Sequence, residues 1–448
     1  MPAFVSLVLV LGCLVVGLAH AAERLLVTVG EVTASGAVLW VRGPGAGRVT
    51  VDLTGPGAAG RVERLALVPE RDLTGRVVLA GLRPAGRYQY RVRGDGETVA
   101  GTFTTAPARD DAQPVAFLWS GDLGGGGFCR PADGGYPIFG AMARRPADFF
   151  LFVGDTIYAD RPCNGPGVAR GADFVATTLA GFHARHRYNR EDAAVQSFLR
   201  RTSVYAIWDD HEVRNDFAGS VDPLMPVGRQ AFLDYWPLAP PADDPARLYR
   251  RARWGELAEL FILDTRQYRS PNAERDGPTK TMLGAAQRRW LVEGVVRSTA
   301  RWKFVVSSVS LSVPTGRRER RDSWTGVGPF GLPIEQGTGF ATERDAILRQ
   351  FREARVRNLV VIAADVHHAE IIRHEPWPGY RFHELIAGPL SATHGAPRPL
   401  DQALGGRTLW ARGGLNNFGE VTVERDRLTV RILDEVGSVL TTQEIPAE

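Results

Sequence analysis

Four short apolar runs in this 448-residue chain lead directly into side chains that bind cations. Val115 to Trp119 runs into Ser120-Gly121-Asp122, and Phe149 to Val153 into Gly154-Asp155-Thr156-Ile157-Tyr158-Ala159-Asp160. Val204 to Trp208 runs into Asp209-Asp210-His211-Glu212, with Asn215 and Asp216 close behind, and Leu359 to Ala363 into Ala364-Asp365-Val366-His367-His368. One Asp after a strand is more often a turn or cap residue than a ligand; four in one chain are not explained that way. Asp122, Asp155, Asp210 and Asp365 supply anionic oxygens, His367 an imidazole and Tyr158 a phenolate that suits trivalent iron or a similarly acidic metal. Carboxylates gathered without a cation would repel one another, and a metal or a pair of metals removes that cost. Two metals suit hydrolysis of a phosphate ester, because they lower the pKa of a bridging water and clamp a phosphoryl oxygen. Asp155, on a tight turn, is the natural bridge; His211 is placed to hydrogen-bond phosphate or protonate the leaving oxygen, and Arg161 to hold the non-bridging oxygens.

The remaining polar residues read more plainly. His183 and His186 fall on a helical pattern and are expected to be surface or packing residues, while His374, His383 and His394 are undecided. His368 should point away from His367 if the strand geometry continues. Asp264 and Arg266 close another strand and are expected to pair as a structural or supporting ion pair. Gly124 to Gly127 does not make a dinucleotide loop, since Cys129 stands where a third glycine is needed.

The elements that must position these groups differ along the chain. Over residues 24 to 106, short alternating runs such as Leu25–Val29, Ala37–Val41 and Tyr88–Val92 are separated by Gly, Pro and Ala-rich turns, the pattern of a β-sandwich. From Gln113 onward, buried-type runs at 115–119, 149–153, 204–208, 257–263, 304–307 and 359–363 alternate with helical patterns at 136–145, 172–187, 227–236, 285–298 and 342–355, which argues a layered α/β domain. Ligand-bearing loops at the carboxyl ends of its strands fit the edge where such sheets bind. The tail from Phe418 returns to β character, with a hairpin around Arg425-Asp426-Arg427.

Composition excludes little and directs the compartment. With 54 basic and 50 acidic residues spread without a basic run, the net charge of +4 argues for a solvated surface and against a specific nucleic-acid partner. Phe4 to Leu18 is apolar and is followed by Ala19-His20-Ala21, so residues 1–22 are read as an export signal whose removal leaves no membrane span; an uncleaved anchor is the rival. Secretion or the periplasm follows. Removing the signal leaves Cys129 and Cys163, which suggest one disulfide between two site loops, with Cys129 as a metal ligand the alternative.

Together, Gly154–Asp160, Trp208–Val213, Leu263–Arg269, Ala364–His367 and Asn417-Phe418-Gly419 resemble the motifs of PhoD-like alkaline phosphatases, a metallophosphoesterase branch akin in its metal site to purple acid phosphatases. The resemblance implies a four-layered αββα sandwich over residues 113–448 behind an N-terminal immunoglobulin or fibronectin-III-like domain at 23–108. It implies Fe3+ and Ca2+, with Mn2+ or Zn2+ as substitutes, and small phosphate monoesters as substrates. Asp155 and Tyr158 would hold iron, Asp155 would bridge, Asp210, Asp365 and His367 would complete the shells, and Asn215 would add a ligand. Where many relatives carry a cysteine ligand after the first strand this chain has Gly121-Asp122, so that role passes to Asp122; the twin-arginine signal common among relatives is missing. Phosphodiesterase or phospholipase D-like activity is the rival reading at the same site, and a non-catalytic secreted binding protein is the rival of another class. Residues 314 to 340, rich in Gly, Arg and Pro, are expected to form a lid.

Overall fold

A computed structural model describes residues 25–58, 60–125 and 127–448. The expected export signal lies outside the described residues, among which no helix is long and apolar enough to cross a membrane. Strands Val115–Ser120, Phe149–Val153 and Ser203–Ile207 run parallel and adjacent in a nine-stranded sheet. FFLFV at 149–153 and SVYAI at 203–207 are buried on both faces, as the continuous apolar runs require. A second, seven-stranded sheet carries Ala258–Ile262, Trp302–Val306 and Leu359–Ala363 in parallel. The two sheets pack face to face: Phe117 meets Phe304 edge-on at 5.3 Å, and Phe149 lies 4.8 Å from Trp254. Each such fully buried side chain contributes about 1.5–3 kcal/mol.

Helices close both outer faces. Ala193–Leu199 sets Phe198 against Phe150 at 5.5 Å, while Trp236, directly after helix Met225–Tyr235, meets Phe152 at 5.4 Å. On the other side, Gly284–Arg297 and Ala341–Glu353 bury Leu291 and Ile347 with Phe261, Val305 and Val361. The result is the four-layered αββα sandwich. One helix begins later than its periodicity predicts, at Leu179 rather than 172, because the Thr178 hydroxyl caps it by accepting from the Gly181 N–H at 3.2 Å.

The N-terminal strands divide between two sheets. Gly47–Thr54, Arg61–Leu67, Arg87–Gly94 and Glu97–Thr104 form their own four-stranded sheet. Leu26–Gly30, Gly36–Arg42 and Thr74–Ala80 instead extend the nine-stranded sheet, joined to it where Gly30 pairs in parallel with Val204. Gly30 suits that splice because a Cβ there would fall 2.4 Å from the Val204 carbonyl oxygen. At the opposite end, Asn417–Val423 pairs antiparallel with Val115–Ser120, and Arg427–Asp434 and Val439–Pro446 follow outward.

Candidate metal centre

The parallel strands deliver their carboxyl ends to one edge, and the chain there turns sharply. Asp122, Asp155, Asp365 and His367 all have left-handed backbones, with φ of 64°, 48°, 67° and 60°. Such geometry costs a non-glycine residue on the order of 1 kcal/mol or more, and it concentrates where side chains must be aimed. Ligand atoms of Asp122, Asp155 and His367 lie within 4.8 Å of one another, as do those of Asp155, Asp210 and His211. Asp155 is common to both groups, the position expected of a bridge.

The donor set fits cations on independent grounds. Both carboxylate oxygens of Asp122, one of Asp210 and one of Asp365 are buried with no hydrogen-bond partner among the described residues, an arrangement that ordinary protein interiors avoid. Burial, with Asp210 and Asp209 nearby, holds the Asp155 carboxyl well above the usual range; burial and Asp209 do the same to Asp122. Burial and Asp155 likewise raise the Tyr158 phenol. Positive charge placed among these groups would reverse all three shifts. The His367 Nδ1 is bonded to the Thr393 carbonyl oxygen, so it carries the proton and leaves the Nε2 lone pair facing the cluster, 3.1 Å from Tyr158 Oη and 4.0 Å from Asp122 Oδ1. Burial lowers its pKa to about 4, which keeps the ring neutral and able to ligate.

His211 is arranged otherwise. Its ring stacks on Tyr158 at 4.1 Å, and its Nδ1 pairs with Asp160 Oδ1 at 2.6 Å. Burial alone would lower its pKa, but Asp210 and Asp160 outweigh burial and raise it to about 9. Its backbone N–H donates to Asp155 Oδ1 at 3.2 Å, tying the third loop to the second.

Arg161 and Asn215 are exposed at the rim. The Arg161 Nε lies 4.0 Å from Asp160 Oδ2, and the Asn215 backbone N–H donates to that oxygen at 3.0 Å. Cys129 and Cys163 form a disulfide, which removes Cys129 from the ligand set. His183 bonds Asp234 at 3.0 Å and His186 stacks on Tyr235 at 5.1 Å, both as packing residues. His368 turns away to Glu370 at 3.0 Å, and His374 pairs with Glu384 at 2.9 Å.

A family model described as PhoD-like phosphatase matches residues 119–429, more than two thirds of the chain. The chain belongs to the PhoD-like phosphatase family. A curated relative, alkaline phosphatase D of Bacillus subtilis (strain 168), is 27% identical in an alignment of 319 positions that covers 64% of this chain and 52% of that protein, so the match spans about half of the relative's length. A solved structure of PhoD superposes with a TM-score of 0.76 at 20% identity, covering 94% of this chain and 88% of that one. A purple acid phosphatase isolated from yellow lupin (Lupinus luteus) seeds gives 0.64 at 12% identity, covering 94% and 74%.

Several residues not expected among the site groups surround this cluster in the PhoD-like chain. Arg266 does not pair with Asp264, as the sequence led us to expect. It lies fully buried between Asp209 and Asp322, donating at 2.7 and 3.0 Å to the first and at 2.7 and 2.6 Å to the second. Asp264 instead accepts from Trp208 Nε1 at 2.8 Å and from the backbone of Arg266 and Gln267. The Asp264 carboxylate is taken up by these donors, and the guanidinium reaches instead to Asp209, which follows a strand of the other sheet. Asp322, with Asp210 and Asp216, makes a third group of oxygens within 4.8 Å. Glu212 braces two ligand loops, accepting from Thr156 N and Oγ1 at 2.6 and 2.7 Å and from Asp209 N at 2.8 Å.

The closing Asn417-Phe418-Gly419 motif of the PhoD-like chain also acquires a role. The Asn417 side chain exchanges two hydrogen bonds with the Gly388 backbone. A Cβ at Gly388 would fall 2.4 Å from Asp122 Oδ2, so this turn packs directly against the Asp122 carboxylate. Of the expected lid, residues 316–321 form a short exposed hairpin, while Asp322 to Thr325 are buried beside the centre.

Proposed function

We propose that this chain hydrolyses phosphate esters, with monoesters as the preferred class. The observation that carries the reading is a carboxylate, Asp155, lying between Asp122 and His367 on one side and Asp210 on the other, since a shared oxygen donor is what a two-cation phosphoesterase needs. Asp122, Asp155, Tyr158 and His367 would hold a ferric ion, and Asp155 and Asp210, with Asp365 and Asn215, a calcium ion. When bound, the cations would make a water acidic and neutralise charge on the phosphoryl group.

The chain's own residues would do the rest. His211, with Nδ1 committed to Asp160, would donate to the phosphoryl or leaving oxygen through Nε2. Arg161, exposed at the rim, would hold non-bridging oxygens by its guanidinium fork. Residues 113–448 carry every one of these groups, which supports reading 23–108 as a separate unit in function. The apolar leader at 1–22 and the Cys129–Cys163 disulfide support an exported protein.

The test is turnover and metal content together. Asp155→Asn should abolish hydrolysis of an aryl phosphate and lower bound metal, whereas His211→Ala should keep most of the metal and lose rate. Full metal and wild-type turnover in Asp155→Asn would remove the basis of the proposal. Comparing the aryl phosphate with its bis-aryl counterpart separates monoesterase from diesterase.

A further inference from the structure

The outer face of the four-stranded N-terminal sheet is a cationic groove far from the metal centre. On strand Arg87–Gly94 the odd positions Arg87, Gln89, Arg91 and Arg93 face outward, while Tyr88, Tyr90 and Val92 face the core. With Asp52, Thr54, Thr102 and Arg201 they line an open groove of about 750 Å³. Asp52 is the one carboxylate in that lining and is taken by Arg93 at 2.8 Å. Arg87, Arg91 and Arg201 make no ion pair among the described residues and are exposed.

The groove is built at a joint and held there. Arg201 comes from the loop before strand Ser203–Ile207, and the preceding Arg200 carbonyl oxygen accepts from Tyr90 Oη at 2.7 Å and Thr102 N at 3.3 Å. Gly101 permits this approach, since a Cβ there would fall 2.1 Å from that oxygen. Strand Ser203–Ile207 has Arg201 at its amino end and Asp209–Asp210 at its carboxyl end, with about 16 Å of strand between them. One phosphate therefore cannot touch both places.

We infer that this groove is a second binding site, an anchor for a linear polymer bearing repeated phosphate groups. Same-face residues recur about every 6.6 Å along a strand, so Arg87 and Arg91 present guanidinium forks about 13 Å apart in a line, with Arg201 lining the same groove. Gln89, Thr54 and Thr102 add neutral donors between them. A compact anion would use one fork and leave the others idle; a chain of anions uses them all. Choosing phosphate over carboxylate repeats rests on the phosphoesterase reading, whereas the anchor itself does not.

The experiment is binding of end-labelled inorganic polyphosphate, present far below the protein concentration, to the metal-loaded full chain by fluorescence anisotropy. Arg87→Ala/Arg91→Ala/Arg201→Ala should weaken binding at least tenfold and flatten the slope of log affinity against log salt by about 2, for three released phosphate contacts. Melting temperature and aryl phosphate turnover should stay at wild-type values. Asp155→Asn should bind the polymer as the wild type does. Affinity within twofold of wild type in the triple variant, or loss of binding in Asp155→Asn alone, would overturn the anchor by placing the polymer elsewhere. Tighter binding of polygalacturonate than of polyphosphate would overturn the choice of phosphate. Loss of aryl phosphate turnover in the unmodified chain bears on the proposed reaction and leaves the anchor standing.

Discussion

Replacing Arg266 with Met keeps a long apolar stem and removes the charge that holds two carboxylates together beside the candidate metal centre. In the intact protein Arg266 donates four hydrogen bonds, two to Asp209 and two to Asp322, and all three side chains are at most 1% exposed. Asp322 keeps Arg269 at 2.8 Å and Asp209 keeps the Ser308 hydroxyl, so Asp209 is the group left with no cation. Breaking one side of a buried pair costs about 3–5 kcal/mol. With an unfolding entropy of about 2.1 cal/mol/K per residue, a chain of this length should lose about 3–6 °C in melting temperature. The pH dependence has a defined sign. Burial raises the Asp322 carboxyl, but Arg266 and Arg269 outweigh it and hold the group below the ordinary range. Its contribution to stability is therefore present above the unfolded value of 3.8 and lost as pH falls below it. Without Arg266 both carboxylates move upward and protonate more readily, so the variant's deficit should shrink as pH falls from 7 toward 4. Calorimetry of chelator-treated protein at several pH values measures it. A deficit under about 1 °C at pH 7, or one that widens toward pH 4, would refute the reasoning.

Glu212→Gln should turn one amide hydrogen toward a loop N–H, costing about 1–3 kcal/mol and lowering turnover without removing metal, as melting and elemental analysis would report. Cys129→Ser with Cys163→Ser opens a disulfide with a sequence separation of 34 and should cost about 4 kcal/mol in reversible denaturation. Asp72 joins Arg42 to Arg187 and Tyr235, and although burial raises its carboxyl, those partners lower it below the ordinary value. Asp72→Asn should therefore melt earlier at pH 7, with the gap closing as pH falls through and below 3.8.

The convergence of these side chains was legible because each follows a strand directly. A buried run ending in Asp states both the element and the edge, and Asp122, Asp155, Asp210 and His367 needed nothing more. Arg266 and Asp322 were harder because their meeting depends on two sheets facing each other, which no local spacing encodes. Asp322 also sits in a glycine- and arginine-rich segment that reads as a loop, with no apolar run before it. The splice at Gly30 escaped for a similar reason: one residue of parallel pairing carries no periodic signal, so strands that alternate like a free-standing sandwich gave no hint that three of them extend the larger sheet.

The pairing of Asn417–Val423 with Val115–Ser120 constrains how the molecule is made. Val115–Ser120 acquires its parallel neighbour some thirty residues later in synthesis, but its antiparallel neighbour, Val421 against Phe117, only after roughly 300. Until then the row of amides on that flank is open to any other extended chain. A nascent polypeptide that emerges slowly must be kept from partners in this interval, and premature termination before Asn417 should give an insoluble product rather than a smaller enzyme.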